Sequence, residues 1–199
     1  MKRVSILLLG LVLLLALGFA GCNSKKKTKK AEIGTILDDM PCEKDGKSDK
    51  NYFRAYSMSE STNLQLSKEK ALIAAKQRLI TLINSNTKSV TDRYVNEREV
   101  GNASEFEQKF ENLTREVADE TISNVVIICE KTSVLDNKKS KQSKQYRTFI
   151  SIQVSKDDVL SSMNNRISKD AKLQLDYDKK KFEEIFNQEM EKMAAERGY

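Results

Sequence analysis

Histidine and tryptophan are absent from the 199 residues, proline occurs once, and the seven glycines stand singly. Without histidine there is no Ser-His-Asp or Cys-His constellation, and most zinc ligand sets are lost. Scattered glycines supply neither a G-x-G-x-x-G turn nor a phosphate-cradling P-loop. One serine arrangement survives this filter: Ser67-x-x-Lys70 matches the S-x-x-K in which a lysine activates a serine. Ser24-x-x-Lys27 and Ser85-x-x-Lys88 match equally well, and Lys131-Thr132-Ser133 is the nearest approach to the K-T-G such enzymes also need. Ser67 reads better as a helix N-cap, its hydroxyl satisfying a free backbone N–H.

Acidic clusters are present but unshaped. Asp38-Asp39, Asp157-Asp158 and Asp176-x-Asp178 offer oxygens, yet none has the loop spacing and turn glycine of a calcium site. They read as solvated or capping carboxylates, and no metal or cofactor is expected. Asn102-Ala-Ser and Asn112-Leu-Thr match glycosylation sequons by coincidence of composition.

What is present begins at the N-terminus. Lys2 and Arg3 precede an apolar run from Val4 to Phe19, and small residues follow at Ala20-Gly21. A basic head, an apolar middle and a small-residue end describe a secretory signal over residues 1–21. The alternative is a retained membrane span, for which about 18 apolar residues would be the minimum; Gly10, Gly18 and Gly21 speak against that helix. Phe19-Ala20-Gly21-Cys22 resembles the lipobox of bacterial lipoproteins, departing from it only in Phe19, where leucine is usual. The resemblance implies cleavage before Cys22 and lipid on its sulfur and new N-terminus, with several chains making a stable tether.

Charge then falls into place. The net +6 includes Lys2 and Arg3 of the signal and five lysines between Lys25 and Lys30. The rest carries 28 basic against 29 acidic residues, so the body is near neutral and nucleic acid is not an expected partner. The polybasic stretch lies where it attracts anionic headgroups, at about 1 kcal/mol per lysine, or serves as a solvated spacer. Removing 21 of the 199 residues leaves 178, enough for one domain and a small appendage. Cys42 and Cys129 remain after Cys22, in a compartment where a disulfide persists. Either they pair and staple the lead-in to the sheet, or Cys129 is a small buried apolar residue and Cys42 stands alone.

Along the chain, residues 22–50 read as a lipidated tether and irregular lead-in, and residues 51–165 as the folded domain. The stretch YFRAYSMSES suits a first strand. Leu72, Ala75, Leu79 and Leu82, widened by Ile73, Ile80 and Ile83, predict a helix from Ser67 that Val90 and Tyr94 extend toward Gly101. Ser104 and Glu107 form the pattern of a capping box opening a second helix, with Phe106, Phe110, Leu113 and Val117 on one face. The β-branched run NVVIIC reads as a central strand, and QYRTFISIQV alternates as its hairpin partner. Tyr146, Arg147 and Phe149 on that hairpin are candidates for a stacking surface. Ser155 and Asp158 cap a further helix. Residues 166–199 form a long C-terminal amphipathic helix whose stripe Phe182, Phe186, Met190, Met193 is a candidate assembly face, with a break near Ser168.

The β-α-α-β-β order, with the segments SMSESTNLQLSKEKALIAAKQRL and TISNVVIICEKT…QYRTFISIQVS, resembles the LPP-twenty family of bacterial lipoproteins over residues 50–160. The resemblance implies an α+β domain in which helices pack on a three-stranded antiparallel sheet, dodecin-like, anchored to the outer membrane and without enzymatic activity. The expected function is a structural or protein-interaction module of the envelope, partnered by the membrane and by an envelope protein or further copies of itself. The alternative is a small-molecule-binding module using the sheet or an oligomer interface. A wall or glycan hydrolase is motivated by location alone.

Overall fold

In a computed structural model, residues 40–98, 102–135 and 144–196 are described; the expected signal segment, Cys22 and the expected lysine-rich tether lie outside them. The elements are β1 (Tyr52–Ser61), α1 (Leu64–Arg98), α2 (Ala103–Ser123), β2 (Val126–Leu135), β3 (Gln145–Ser155), α3 (Lys156–Ile167), α4 (Ala171–Asp176) and α5 (Lys179–Glu196). The fold class is α+β with the expected β-α-α-β-β order, followed by a long C-terminal helix.

Both strand pairs are antiparallel, and the sheet order is β1-β3-β2. β3, not β2, is therefore central, which corrects the reading of NVVIIC. The physical cause is that β1 also needs a partner and takes it on the far side of β3, so β2 is left at an edge. Alternation along β3 sorts its faces as expected. Thr148, Ile150, Ile152 and Val154 are buried with the helices, while Phe149 and Ser151 are buried on the other side.

The helix side is built for close approach. Ala71, Ala75, Leu79 and Ile83 recur every fourth residue and are fully buried. Alanine on this row brings the backbone near the sheet, and the Ser57 hydroxyl on β1 donates to the Ala71 carbonyl. The expected stripe is displaced: Ile73 is 56% exposed, and Leu72, Ile80 and Leu82 only flank the core. Two caps are displaced as well. Asn63 Oδ1, not Ser67, accepts from the Leu66 N–H, and Asn102, not Ser104, caps α2 by accepting from the Glu105 N–H. In both places two capping residues compete within four positions, and helix packing chooses between them. Ser155 caps α3 as expected, accepting from the Asp158 N–H.

The C-terminal segments fold back onto this core. Phe182, Phe186, Met190 and Met193 are all buried, at 0, 1, 2 and 6% exposure. Tyr94, Phe106, Phe110, Tyr177 and Phe182 form one aromatic cluster, with ring centroids 5.1–6.2 Å apart. Burying such side chains contributes about 1.5–3 kcal/mol each. The candidate assembly face is thus interior packing within the chain, because an apolar stripe is satisfied first by the nearest apolar surface. The expected break is present: Ser168 caps the end of α3 and the short helix α4 follows, with Leu173 inward and Leu175 84% exposed.

Candidate interaction surface

Residues 40–50 of the lead-in pack against the sheet, where the sequence suggested irregular chain. Residues 41–46 form turns, and Cys42 takes a positive φ of 65°. Ser151 Oγ donates to the Cys42 carbonyl at 2.6 Å, and the Gly46 N–H bonds the same carbonyl at 3.1 Å. Gly46 lies so close to β1 that a Cβ there would meet the Tyr56 Cβ at 2.4 Å, which only glycine avoids. Cys42 and Cys129 form a disulfide, closing a separation of 87 residues and pinning the lead-in across β2 and β3. The stapled alternative is the one realised. Asp45 brings its carboxylate within 4.8 Å of the two sulfurs, but sulfurs bonded to each other are not thiolate ligands.

The two sheet edges are treated differently. On β1 the outward carbonyls of Tyr52, Arg54 and Tyr56 and the Arg54 N–H are taken. Asp49 N–H donates to the Tyr52 carbonyl at 3.1 Å, Ser48 Oγ both accepts from and donates to the Arg54 main chain at 2.9 and 3.2 Å, and Arg78 donates to the Tyr56 carbonyl at 2.6 Å. Hydrogen-bonded pairs alternate along an antiparallel ladder, so with Arg54 facing outward the register turns the main chains of Glu130, Thr132 and Val134 outward from β2. Among the described residues nothing caps that edge. Its side chains are exposed too, with Val126 at 56%, Ile127 at 46% and Val134 at 51%. A bulge between Ile127 and Cys129 leaves the regular run over residues 129–135. An open strand edge of this kind is a template for pairing.

The other sequence candidates resolve into structural roles. Ser67 is fully buried, within hydrogen-bond distance of the Ser59 and Tyr146 carbonyls and of Thr148 Oγ1, while Lys70 is exposed. A nucleophile sealed under a helix cannot meet substrate. The stacking surface does not assemble either. Phe149 is 5% exposed, on the face that Ser151 shares with the lead-in, and Arg147 is paired with Glu60 at 2.5 Å. Asp178 caps α5 through the Lys181 N–H at 3.0 Å, and Asp158 lies in the first turn of α3. Cys22 is outside the described residues.

The open edge was missed in the sequence because Val126 and Ile127 look like core. Burial pushes the Tyr56 and Tyr177 hydroxyls above the usual tyrosine range, which suits packed side chains rather than acid–base groups at neutral pH. Searches against family models, curated proteins and solved structures find no match to the chain.

Proposed function

We propose that this chain is a lipid-anchored, non-enzymatic interaction module of the bacterial envelope, similar to the LPP-twenty lipoproteins. Its place is the outer membrane, held through Cys22 and facing the periplasm. The lipobox Phe19-Ala20-Gly21-Cys22 and the lysines behind it support the anchor. The Cys42–Cys129 disulfide supports a compartment outside the cytoplasm.

The observation that carries the interaction role is the contrast between edges. Ser48, Asp49 and Arg78 cover the first half of the β1 edge, from Tyr52 to Tyr56, whereas Glu130, Thr132 and Val134 of β2 keep outward main-chain groups beside exposed apolar side chains. A partner adding an extended strand there gains main-chain hydrogen bonds for affinity and side-chain pockets for specificity. The partner is an envelope protein or a second copy of the chain.

The test places a photoreactive residue at Lys131, which is exposed on β2, and irradiates intact cells. A discrete protein adduct is expected, and it disappears when Val134→Pro removes an outward N–H, a change an edge strand tolerates. Its mass tells a second copy from another protein. No adduct, or one indifferent to Val134→Pro in a folded variant, overturns the reading.

A further inference from the structure

A second surface, independent of the strand edge, lies on the helix pair. α1 and α2 enclose a groove of about 570 Å³, and all twelve residues lining it are polar or charged. The lining repeats one spacing on both helices, from Thr81 to Asp92 on α1 and from Ser104 to Arg115 on α2. Each wall spans twelve residues of helix, eleven rises of about 1.5 Å, and is about 16 Å long. Apolar residues leave these two rows while the neighbouring rows supply the core, with Ile83, Val90, Phe110 and Leu113 buried.

The groove's hydrogen-bonding character is specific. Thr91 and Thr114 are 5% exposed, and their hydroxyl protons are spent on the Thr87 and Phe110 carbonyls at 3.0 and 2.9 Å. Their oxygens therefore remain as acceptors. Asn84 Oδ1 is buried and has no partner among the described residues. Leaving a buried acceptor unmet costs about 1–3 kcal/mol, so a group that meets it on binding recovers that cost. Around these acceptors stand Lys88 and Gln108 as donors and Asp92 and Glu107 as carboxylates, while Arg115 is engaged with Glu111 at 2.6 Å. Neither charge sign dominates.

A hydroxyl group is the ligand group that donates to fixed acceptors and accepts from fixed donors at one atom. An anion would face the carboxylates, and a polyamine would leave Lys88 and Gln108 without acceptors. The geometry points to a binding groove for a neutral polyhydroxylated ligand, a saccharide, with the Asn84 side chain, whose Oδ1 is sealed and unmet in the ligand-free chain, turning into the groove to receive a ligand hydroxyl.

The experiment is saturation-transfer difference NMR on the full chain in a zwitterionic, sugar-free detergent. The probes are maltotriose and chitotriose, with spermidine and inorganic phosphate as charged comparators. Transfer to a trisaccharide is expected, and Asn84→Leu weakens its binding about tenfold, the equivalent of one hydrogen bond. Asn84→Leu also removes the unmet acceptor, so Tm holds or rises in the absence of sugar. Ser85→Arg, on the exposed wall, blocks binding without touching the core. Absence of transfer to either sugar, preferential binding of spermidine or phosphate, or full binding by Ser85→Arg overturns the inference. A lower Tm for ligand-free Asn84→Leu does so as well, since it makes Asn84 a structural group.

Discussion

The Tyr94 hydroxyl on α1 accepts a hydrogen bond from the Asp178 main-chain N–H at 2.7 Å, at the turn between α4 and α5. The same hydroxyl donates to the Asp176 carbonyl at 2.9 Å. One side chain thus satisfies both ends of the turn that reverses the chain, and its ring packs on Phe106, Tyr177 and Phe182. The C-terminal helix folds back because this anchor and the apolar stripe act at the same place.

Tyr94→Phe keeps the ring and removes only the oxygen. It is expected to lower stability by about 1–3 kcal/mol, since a part-buried N–H and a carbonyl lose their partner together. Each kcal/mol corresponds to about 2–4 °C in Tm for a domain of this size. Thermal unfolding followed by circular dichroism checks this, and an unchanged Tm would show that water replaces the hydroxyl at no cost.

The disulfide between Cys42 and Cys129 closes a loop of 87 residues. Cys129→Ser is expected to cost about 2–4 kcal/mol, by restoring conformational freedom to the unfolded chain. Wild type should become as unstable as the variant when dithiothreitol is added, and the variant should not respond. Equal urea midpoints for the two proteins under oxidising conditions would contradict the staple.

Gly46 has no space for a methyl group, since its Cβ would meet Tyr56 Cβ at 2.4 Å and Ser151 Oγ at 2.9 Å. Gly46→Ala must therefore displace the lead-in or the strand, at about 1–3 kcal/mol. The readout is faster proteolysis near residue 46 together with a lower Tm. Wild-type behaviour in both assays would mean that the lead-in does not need this contact.

Asp170 caps α4, and its carboxyl is held below the ordinary aspartate value of 3.8. The main cause is the Leu173 N–H, opposed by slight burial and reinforced by the Lys172 N–H and Lys109. A carboxyl lowered on folding stabilises the protein above its unfolded pKa, and that contribution is lost as pH falls through the folded value. Wild type is expected to exceed Asp170→Asn in stability near neutrality, with the gap closing below about pH 4. Urea titrations at several pH values test it; a gap that persists to strong acid would rule out this carboxyl as its source.

Much of the fold was written in local pattern. The helical spacing of apolar residues along α1, though not which row of them is buried, the single face of Phe106, Phe110, Leu113 and Val117, the alternation of β3 and the Ser155 cap all depend on neighbours within a few positions. Such patterns fix element type because backbone geometry sets which side chains share a face. The candidate functional surfaces were not legible in this way. Polar residues at 84, 91, 108 and 114 look like ordinary solvated helix, and become a groove only when two helices align them.

What the sequence determined by itself was the inventory: no histidine, an apolar run that ends in a lipobox-like Phe19-Ala20-Gly21-Cys22, two helices between strands, and an apolar stripe near the C-terminus. Tertiary structure decided which strand is central, which cysteines meet, and where the stripe is buried. Those outcomes rest on contacts between residues far apart in the chain, 87 apart for Cys42 and Cys129 and 84 apart for Tyr94 and Asp178. Local propensity is blind to such pairs. The free energy of closing the sheet and burying the stripe selects them only when the whole chain competes for the same core.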